Sequence, residues 1–397
     1  MPPVIVVGAG AAGLACAWDL ARRRVRVRVL ESGHRIGGRV HTVRRGGRVY
    51  EMGARWVHDI DPSDPLRHPT LAVAARCGVD LGLCADQLEY VMRESSGQDR
   101  VIDNPCFAES ALYDLFCSDD DGLARAMLRD PLPLHRATGV QDALVTNGYD
   151  RLIAGLARGI DVRTGSEVVR CVKGRGVVCK DGTVHRASRV VFAVPPARLL
   201  SVRFEPPLRG APLRACRALR PAHLQVAEVS LRRRLWPAAG RWWADPGLPR
   251  PPGVLGEKVM LLPHRSHAVY WWWSAAPGAQ SPAASARRAL KLLRVAVPRC
   301  RARDVVRVQC SRWGSDGAYS ANERRAPERA ALRRPQWGGR LWLAGEHTSR
   351  SRFGYVDGAL VSGLRAAAAL AAVGVTAAAP PARRPPGTGG CTPPRAR

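Results

Sequence analysis

The chain has 397 residues, of which 46% are hydrophobic, and a formal net charge of +29 at pH 7. This length suffices for two domains and a large core, and the composition is globular rather than disordered or collagen-like. Only four of the 62 basic residues are lysines, and the arginines are spread along the whole chain. Such a charge attracts nucleic acid, but its even spread favours compositional bias over a dedicated binding surface.

The sequence predicts neither a leader nor an anchor. The first strand follows directly on residues 1–3, without a secretory signal. The apolar run of residues 366–379 is too short and too rich in alanine to span a bilayer. The 11 cysteines include no C-x-x-C pair. We therefore expect no membrane anchor, no metal centre and no disulfide framework, and a cytoplasmic location, with the nucleus as the alternative.

The first forty residues predict a dinucleotide-binding β-α-β unit. An apolar strand at residues 4–7 is followed by the glycine-rich residues 8–13 and by a helical pattern. A second strand, residues 25–30, ends on Glu31. The order of strand, glycines, helix, strand and acid favours a dinucleotide site over an ordinary glycine-rich turn.

Three glycines in this stretch have separate expected roles. Gly8 permits the tight turn, Gly10 lets a diphosphate approach the backbone, and Gly13 lets the helix pack closely on the sheet. The N-terminus of the helix attracts the phosphate charge. Glu31 is placed to accept hydrogen bonds from ribose hydroxyls.

A second acidic position follows a late strand. Residues 341–344 form a short apolar strand, and Glu346 comes two residues later. Parallel α/β sheets bind ligands beyond the carboxyl ends of their strands, so Glu346 could hydrogen-bond a cofactor's sugar or ribitol hydroxyls. A helix N-cap is the alternative. From residue 377 onwards, proline, arginine and glycine predict a disordered tail.

Four separated segments resemble the flavin-containing amine oxidases, the family of monoamine and polyamine oxidases and histone-lysine demethylases. They are the N-terminal fingerprint with Arg35-Ile36-Gly37-Gly38-Arg39, residues 51–58, residues 190–196, and residues 341–348 with 354–365. The Gly-Ala-Arg-Trp-Val-His stretch at residues 53–58 is most similar to acetylpolyamine and spermine oxidases.

The resemblance implies an α/β fold with a Rossmann-like FAD-binding domain, of the kind found in glutathione-reductase-like flavoproteins, and an inserted α+β substrate-binding domain. The FAD-binding domain would be discontinuous, comprising residues 1–75, 145–205 and 300–376. The substrate domain would comprise residues 76–144 and 206–299, and residues 377–397 would be the disordered tail.

The resemblance also implies the site residues. FAD would be held by Gly8, Gly10, Ala12, Gly13, Glu31, Gly38, Arg39, Gly53, Ala54, Arg55, Trp56, Val168, Trp313, Gly345, Glu346 and Val356. The catalytic side chains would be His58, Tyr319 and Tyr355. Ala318 stands where some monoamine oxidases carry a flavin-linked cysteine, which implies non-covalent FAD.

Two tyrosines would form an aromatic cage in this interpretation. Rings of Tyr319 and Tyr355 flanking a path to the flavin would hold an amine by cation–π attraction, on the order of 0.5–2 kcal/mol. The alternative is two core tyrosines with satisfied hydroxyls. For His58, the alternative to substrate contact is a surface or capping histidine.

The sequence departs from the family at one position. Most members carry a lysine, bonded through water to flavin N5, on a strand ahead of a Phe-Trp pair. The matching strand here has Gln225 or Val226 at that position, depending on register, ahead of Leu235-Trp236. The run Trp271-Trp272-Trp273 lies on another strand, where core packing is favoured over lining a substrate channel.

The function implied is FAD-dependent oxidation of a polyamine-like amine. Hydride transfer to flavin N5 would give an imine, then an aldehyde and an amine, with O2 reduced to H2O2. One alternative is a catalytically weakened FAD-binding protein that acts by binding nucleic acid or a protein partner, which the missing lysine and the charge favour. Another is an L-amino-acid oxidase, which needs an arginine for the substrate carboxylate.

Overall fold

The computed structural model describes residues 2–85, 89–93, 98–102, 141–237, 240–244, 249, 254–274, 281–311, 313, 317, 319–320, 326–349 and 352–373. The predicted tail of residues 377–397 and the alanine at position 318 lie outside these residues.

A five-stranded parallel sheet forms the centre of the first part of the molecule. Its strands are β1 (Val4–Val7), β2 (Val27–Leu30), β10 (Asp161–Arg163), β14 (Val190–Phe192) and β22 (Leu341–Leu343), in the spatial order β10-β2-β1-β14-β22. The apolar run of β1 is explained by burial on both faces, because Val4 and Val6 belong to one core cluster and Ile5 and Val7 to another.

Helices cover one face of this sheet. They are α1 (Ala11–Arg22), α2 (Pro69–Arg76), α3 (Asp150–Ala157) and α8 (Val356–Ala372), whose buried side chains include Leu14, Leu152 and Leu360. The first and last helices pack closely, because a Cβ added to Gly363 would lie 2.1 Å from the carbonyl oxygen of Ala12.

A second, smaller sheet lies against the other face. Its order is β13-β12-β11-β15, with β11 at Val168–Val172, β12 at Gly176–Cys179, β13 at Val184–Arg186 and β15 at Arg203–Glu205. Cys171 and Phe204 from this sheet pack with Phe192 and Leu343 in one cluster. Three further helices belong to this part of the chain, namely α4 (Pro196–Leu200), α5 (Ala211–Ala218) and α7 (Ala326–Arg333).

An eight-stranded sheet forms the second part of the molecule. Its main path runs β20-β16-β19-β18-β17-β7-β8, with β21 also paired to β16. The strands are β7 (Glu89–Arg93), β8 (Asp99–Ile102), β16 (Pro221–Leu231), β17 (Arg241–Ala244), β18 (Val254–Leu261), β19 (His267–Ser274), β20 (Val305–Cys310) and β21 (Tyr319–Ser320). Helix α6 (Pro282–Ala296) packs on it through Leu292 and Leu293, beside Trp272.

Two small sheets complete the fold. Strands β3 (Thr42–Arg45) and β4 (Arg48–Glu51) form a hairpin. Strands β5 (Trp56–Ile60), β6 (Leu83–Ala85) and β9 (Gln141–Val145) pair antiparallel in the order β5-β9-β6. Short 3-10 helices lie at Pro65–Arg67, Ala302–Asp304 and Glu346–Thr348.

The structure differs from the predicted boundaries in detail. The second strand begins at Val27 rather than at residue 25. Strand β20 lies within the range predicted for the FAD-binding domain, and it pairs antiparallel with β16 in the eight-stranded sheet. The domain boundaries stay a prediction. Within the described residues, no helix combines the length and apolarity needed to cross a bilayer.

Candidate active site

A cavity of about 760 Å³ opens at the carboxyl ends of β1, β2 and β14. Its wall includes Gly8 after β1, Glu31 after β2 and Ala193 after β14, and it extends to Val226 on β16 of the eight-stranded sheet. This is the edge at which open α/β sheets bind cofactors. The cavity therefore lies where both parts of the molecule contribute side chains.

The turn between β1 and α1 has the shape of a diphosphate cradle. Gly8 has a φ of +103°, and a Cβ there would lie 2.7 Å from the carbonyl oxygen of Ala193. No heavy atom within 4 Å would meet a Cβ at Gly10, so this side of the turn is open. Gly10 is also the N-cap of α1 and makes no side-chain cap. The N–H groups of the first helical turn can therefore face an anion.

Gly13 differs from the other predicted cofactor residues. It lies inside α1, where an added Cβ would come 1.9 Å from the carbonyl oxygen of Gly8 and 3.2 Å from the Cβ of Ala193. It is not part of the cavity wall. The expected packing role of Gly13 is thus the one that the geometry supports, and direct contact with the diphosphate is not.

Two carboxylates are held at separate places on the wall. Glu31 accepts backbone hydrogen bonds from Ala9 at 2.8 Å and from Gly33 at 2.9 Å. Glu346 is 4% exposed, bonds Arg39 Nη1 at 3.0 Å and accepts the N–H of Gly354 at 2.8 Å. These fixed oxygens match the positions predicted for the ribose and the ribityl chain, although their cofactor contacts stay a prediction.

The segment at residues 53–56 is pressed against Arg39 and Trp313. A Cβ at Gly53 would lie 1.9 Å from the carbonyl oxygen of Arg39 and 3.1 Å from the Trp313 ring. Trp313 Nε1 donates to the carbonyl of Met52 at 3.1 Å. A residue larger than glycine at position 53 would therefore push these walls apart.

Arg55 contributes to the wall, but its charge is already paired. Arg55 Nη2 bonds Glu228 Oε2 at 2.5 Å and the carbonyl of Glu51 at 2.8 Å, and the side chain is 3% exposed. Glu228 also bonds His267 Nδ1 at 2.6 Å. Burial alone would raise the pKa of Glu228, but Arg55 and His267 lower it to about 2. Arg55 therefore links the two parts of the molecule through its ion pair with Glu228.

Aromatic side chains meet at the end of the cavity near the eight-stranded sheet. The ring centroids of His58 and Tyr355 are 4.9 Å apart, and those of Trp56 and Trp271 are 5.2 Å apart. All four residues line the cavity. Of the predicted cage, Tyr355 therefore lines the cavity, and its contact with substrate stays a prediction. The side chain of Tyr319 lies outside the described part, although its backbone pairs with Ala222 on β16.

The tryptophan run is divided between two environments. Trp271 lines the cavity, whereas Trp272 is 2% exposed and stacks on Tyr270 with centroids 5.0 Å apart. Core packing, the favoured interpretation, holds for Trp272, whereas Trp271 both packs against a core cluster that includes Val226 and lines the cavity. Alternation along the strand predicts that Trp271 and Trp272 lie on opposite faces of β19. The pairing of β19 with β16 is needed to show which of these faces lines the cavity.

Val226 and Gln225, the two candidates for the lysine position, differ in their environment on β16, and which of them takes that position stays a prediction. Val226 is 3% exposed and lines the cavity, as does Leu224 on the same face of the strand. Gln225 points to the other side, where its Nε2 donates to the carbonyl of Trp313 at 3.0 Å. Lys258, the nearest later lysine, pairs across the sheet with Trp271 and is not in the cavity wall.

The other predicted residues also reach the cavity wall. They are Ala12, Gly38, Ala54, Val168, Gly345 and Val356. His347 joins them without having been predicted, and burial lowers its pKa to about 4, so its imidazole is neutral at pH 7. In the sequence, only its position directly after Glu346 indicates that His347 could reach the cavity.

These features fit a dinucleotide cofactor. The open glycine turn, the two positioned carboxylates and the guanidinium of Arg39 supply the contacts that a diphosphate and two polyol chains require. Within the described residues, no group of three or more His, Cys, Asp or Glu side chains could hold a metal ion. The fold and site therefore define a Rossmann-type cofactor-binding protein whose cavity has an aromatic end.

Comparison with known families narrows this class. A family model described as flavin containing amine oxidoreductase matches residues 85–371, and a model described as an NAD(P)-binding Rossmann-like domain matches residues 6–69. The chain belongs to the flavin-containing amine oxidoreductases, which confirms the resemblance seen in its sequence. FAD is its cofactor, and amine oxidation is its general activity.

Individual relatives agree with this placement. The chain is 27% identical over 434 residues to polyamine oxidase 4 of Oryza sativa subsp. japonica, covering 92% of this chain and 88% of the relative. It is 24% identical over 443 residues to lysine-specific histone demethylase 2 of Homo sapiens, covering 93% and 53%. The solved structure of wild-type putrescine oxidase bound to putrescine shares the fold, with a TM-score of 0.69, 21% identity and coverage of 94% and 99%.

Proposed function

We propose that the chain oxidises a polyamine-like amine at the aromatic end of the cavity, with non-covalently bound FAD at the other end. The observation that carries this proposal is the group of four aromatic side chains, Trp56, His58, Trp271 and Tyr355, in the wall of a cavity that also contains the glycine cradle. Relatives named polyamine oxidases, similar over 92% of the chain, support the substrate class.

The residues of the chain have distinct tasks in this reaction. The faces of Tyr355 and Trp271 attract an alkylammonium group, and Leu224 and Val226 exclude water from the reacting carbon. When bound, FAD supplies the acceptor for a hydride from the carbon beside the nitrogen, and O2 takes up the electrons as H2O2. The imine then reacts with water to give an aldehyde and an amine.

The position of Val226 favours a second candidate, a catalytically weakened FAD-binding protein. A valine cannot hold the water that a lysine would hold next to the flavin, so reaction with O2 would be slow. In that case the protein would act through binding, or it would pass its electrons to another acceptor. This candidate shares the FAD site and differs only in its reactivity.

The purified holoenzyme distinguishes the candidates. A flavin spectrum is recorded, and spermine, acetylspermine, a monoamine and an L-amino acid are then added separately without oxygen. Bleaching by the polyamines is expected, and admission of air should restore the colour with release of H2O2. Bleaching by the amino acid alone would make the protein an amino-acid oxidase. Bound flavin that no amine reduces would overturn the proposed activity.

A pair of variants tests the aromatic end. Tyr355→Leu should lower the rate of anaerobic bleaching roughly 2- to 30-fold, the range given by a cation–π contribution of 0.5–2 kcal/mol. Tyr50→Phe is the matched control, because Tyr50 is buried, bonds Ser230 at 2.8 Å and does not line the cavity. Equal rates in the two variants would remove Tyr355 from the site.

A further inference from the structure

Strand β5 contains a β-bulge at the cavity wall. Its register with β9 runs Trp56–Leu144 and Val57–Ala143, but the next pair is Ile60–Gln141. His58 and Asp59 on one strand therefore stand opposite the single residue Asp142 on the other. Bulges commonly occur next to active sites, where they re-aim a side chain.

The backbone at this bulge is held in an uncommon conformation. Asp59 has a φ of +56°, in the left-handed region that only a few per cent of non-glycine residues adopt. Its N–H donates to Asp142 Oδ1 at 2.8 Å, and its carboxylate pairs with Arg352. Strain of this kind persists where surrounding contacts impose it, and it is concentrated at functional sites.

Asp142 also fixes the imidazole of His58. Its second oxygen, Oδ2, lies 2.7 Å from His58 Nδ1. An ionised carboxylate only accepts hydrogen bonds, so Nδ1 must carry the proton. In the neutral imidazole, the lone pair is then on Nε2, and His58 lines the cavity beside Tyr355.

We propose that His58 and Asp142 act as a dyad that takes the proton from the substrate ammonium. Amines have a pKa near that of lysine, about 10, so a polyamine arrives protonated at pH 7, and the nitrogen needs its lone pair before the neighbouring carbon can lose hydride. One N–H bond of the ammonium breaks, and the proton forms a bond to His58 Nε2. The carboxylate of Asp142 stabilises the resulting imidazolium, which returns its proton to solvent after turnover.

The dyad rests on the proposed amine oxidation and adds a base to it. It supplies a proton acceptor in a cavity whose described wall contains Val226 and no lysine. His58 is the catalytic member, because it lines the substrate end, and Asp142 is a positioning residue that acts through it. The site should therefore select amines that enter as cations, because the aromatic wall attracts the ammonium group before it is deprotonated.

Other charges around His58 are already partnered. Arg352 pairs with Asp59 and, at 3.0 Å, with Asp357, so its positive charge is balanced close to the dyad. Among the residues that the structure describes, the titratable and charged groups that face this region from the adjoining elements are Asp142, Asp59, His68, Arg352, Tyr355 and Asp357.

The test is the pH dependence of anaerobic flavin reduction at saturating spermine, measured between pH 6 and 9. In the wild type, the rate constant should reach its plateau at a lower pH than in Asp142→Asn, because the dyad takes the proton from the substrate ammonium. Asp142→Asn should lower this rate constant at least tenfold at pH 7. The rate constant of the variant should keep rising to pH 9, because an amine that is already neutral needs no base. Asp161→Asn is the matched control, since Asp161 bonds Arg28 and Arg163 away from the cavity.

A second measurement does not depend on activity. The ¹⁵N shifts of the His58 imidazole report which nitrogen carries the proton. We expect Nδ1–H in the wild type and a mixture of tautomers in Asp142→Asn, with the flavin spectrum unchanged. Parallel pH profiles for the wild type and Asp142→Asn, or an Nε2–H tautomer in the wild type, would overturn the dyad. Failure of every amine to reduce the wild-type flavin would instead refute the amine oxidation on which it rests.

Discussion

Glu51 is a buried carboxyl group at the end of β4, next to the segment that lines the cavity. It is 1% exposed, accepts the N–H of Tyr149 at 2.8 Å and is bonded by the Thr42 hydroxyl. Burial raises its pKa to about 7, although the Tyr149 N–H and Arg55 oppose the rise. The neutral acid is therefore the form that the fold prefers below pH 7.

This shift predicts a pH-dependent stability. The pKa of Glu51 in the folded protein lies above the usual value of 4.5. Its stabilising contribution to the free energy of unfolding is therefore fully present below pH 4.5 and is lost as the pH rises through 7. The wild type should lose about 2–3 kcal/mol of its free energy of unfolding between pH 5 and 8. Glu51→Gln keeps an uncharged hydrogen-bonding group, so this loss should be absent from the variant. Urea unfolding at both values measures it.

The control for this prediction is Glu205→Gln. Glu205 lies at the surface, where hydrogen bonds and charge from Arg170 lower its pKa. That variant should show no gain at pH 8 relative to the wild type. If Glu51→Gln and the wild type lost the same stability between pH 5 and 8, Glu51 would be ionised without cost.

Single residues of the site were predictable where a local pattern encodes them. The glycine turn and Glu31 lie within one β-α-β unit, so their spacing along the chain fixes their spacing in the fold. Asp142 and Trp271 reach the cavity through pairing with distant strands and a bulge, which no local pattern encodes. For the same reason, the sequence left the choice between Gln225 and Val226 open.

At the scale of elements, the turn between β1 and α1 separates cofactor binding from folding. Gly10 has a φ of −79°, which any residue can adopt, and the space beside it is open. Gly13 faces the backbone of Gly8 directly. The same substitution should therefore have different consequences at two positions three residues apart.

Alanine at each position tests this separation. Gly10→Ala should leave the free energy of unfolding of the apoprotein within about 1 kcal/mol of the wild type, yet weaken FAD binding at least tenfold, because its Cβ would occupy the approach of the diphosphate. Gly13→Ala should lower the free energy of unfolding by about 1–3 kcal/mol through the clash, net of its better helix propensity.

Thermal unfolding of the apoprotein and titration with FAD, followed by flavin fluorescence, provide the two readings. Gly10→Ala with wild-type FAD affinity would place the diphosphate elsewhere. A Gly13→Ala protein as stable as the wild type would show that α1 can move away from the sheet without cost.

At the scale of the whole molecule, the two parts are tied by a buried ion pair. Glu228, in the middle of β16, bonds Arg55 and His267 and also accepts the N–H of Glu51 at 3.1 Å. Glu228→Gln would leave the guanidinium of Arg55 buried without its counter-ion. Loss of one partner from such a pair costs about 3–5 kcal/mol.

We therefore expect Glu228→Gln to lower the free energy of unfolding by about 3 kcal/mol and to weaken FAD binding, because Arg55 anchors the segment that lines the cavity. Urea unfolding and FAD titration measure both effects. Asp161→Asn, which breaks an exposed ion pair, should cost less than about 1 kcal/mol. A Glu228→Gln protein as stable as this control would show that the Arg55–Glu228 ion pair contributes little to the free energy of unfolding.

The overall architecture was predictable only through the resemblance. Alternating strand and helix patterns indicate an α/β domain, but the order β10-β2-β1-β14-β22 joins strands that are far apart in the chain. The pairing of β20 with β16 in the eight-stranded sheet was not predictable, because the side-chain pattern of a short strand does not indicate which sheet it joins.

The packing of α1 against α8 has a consequence for synthesis. The cradle at Gly8 and Gly10 is synthesised first, yet Gly345 and Glu346 of the same wall, and the helix that covers α1, come more than 300 residues later in the chain. A nascent chain therefore cannot present the complete wall of the cavity until these later residues have left the ribosome.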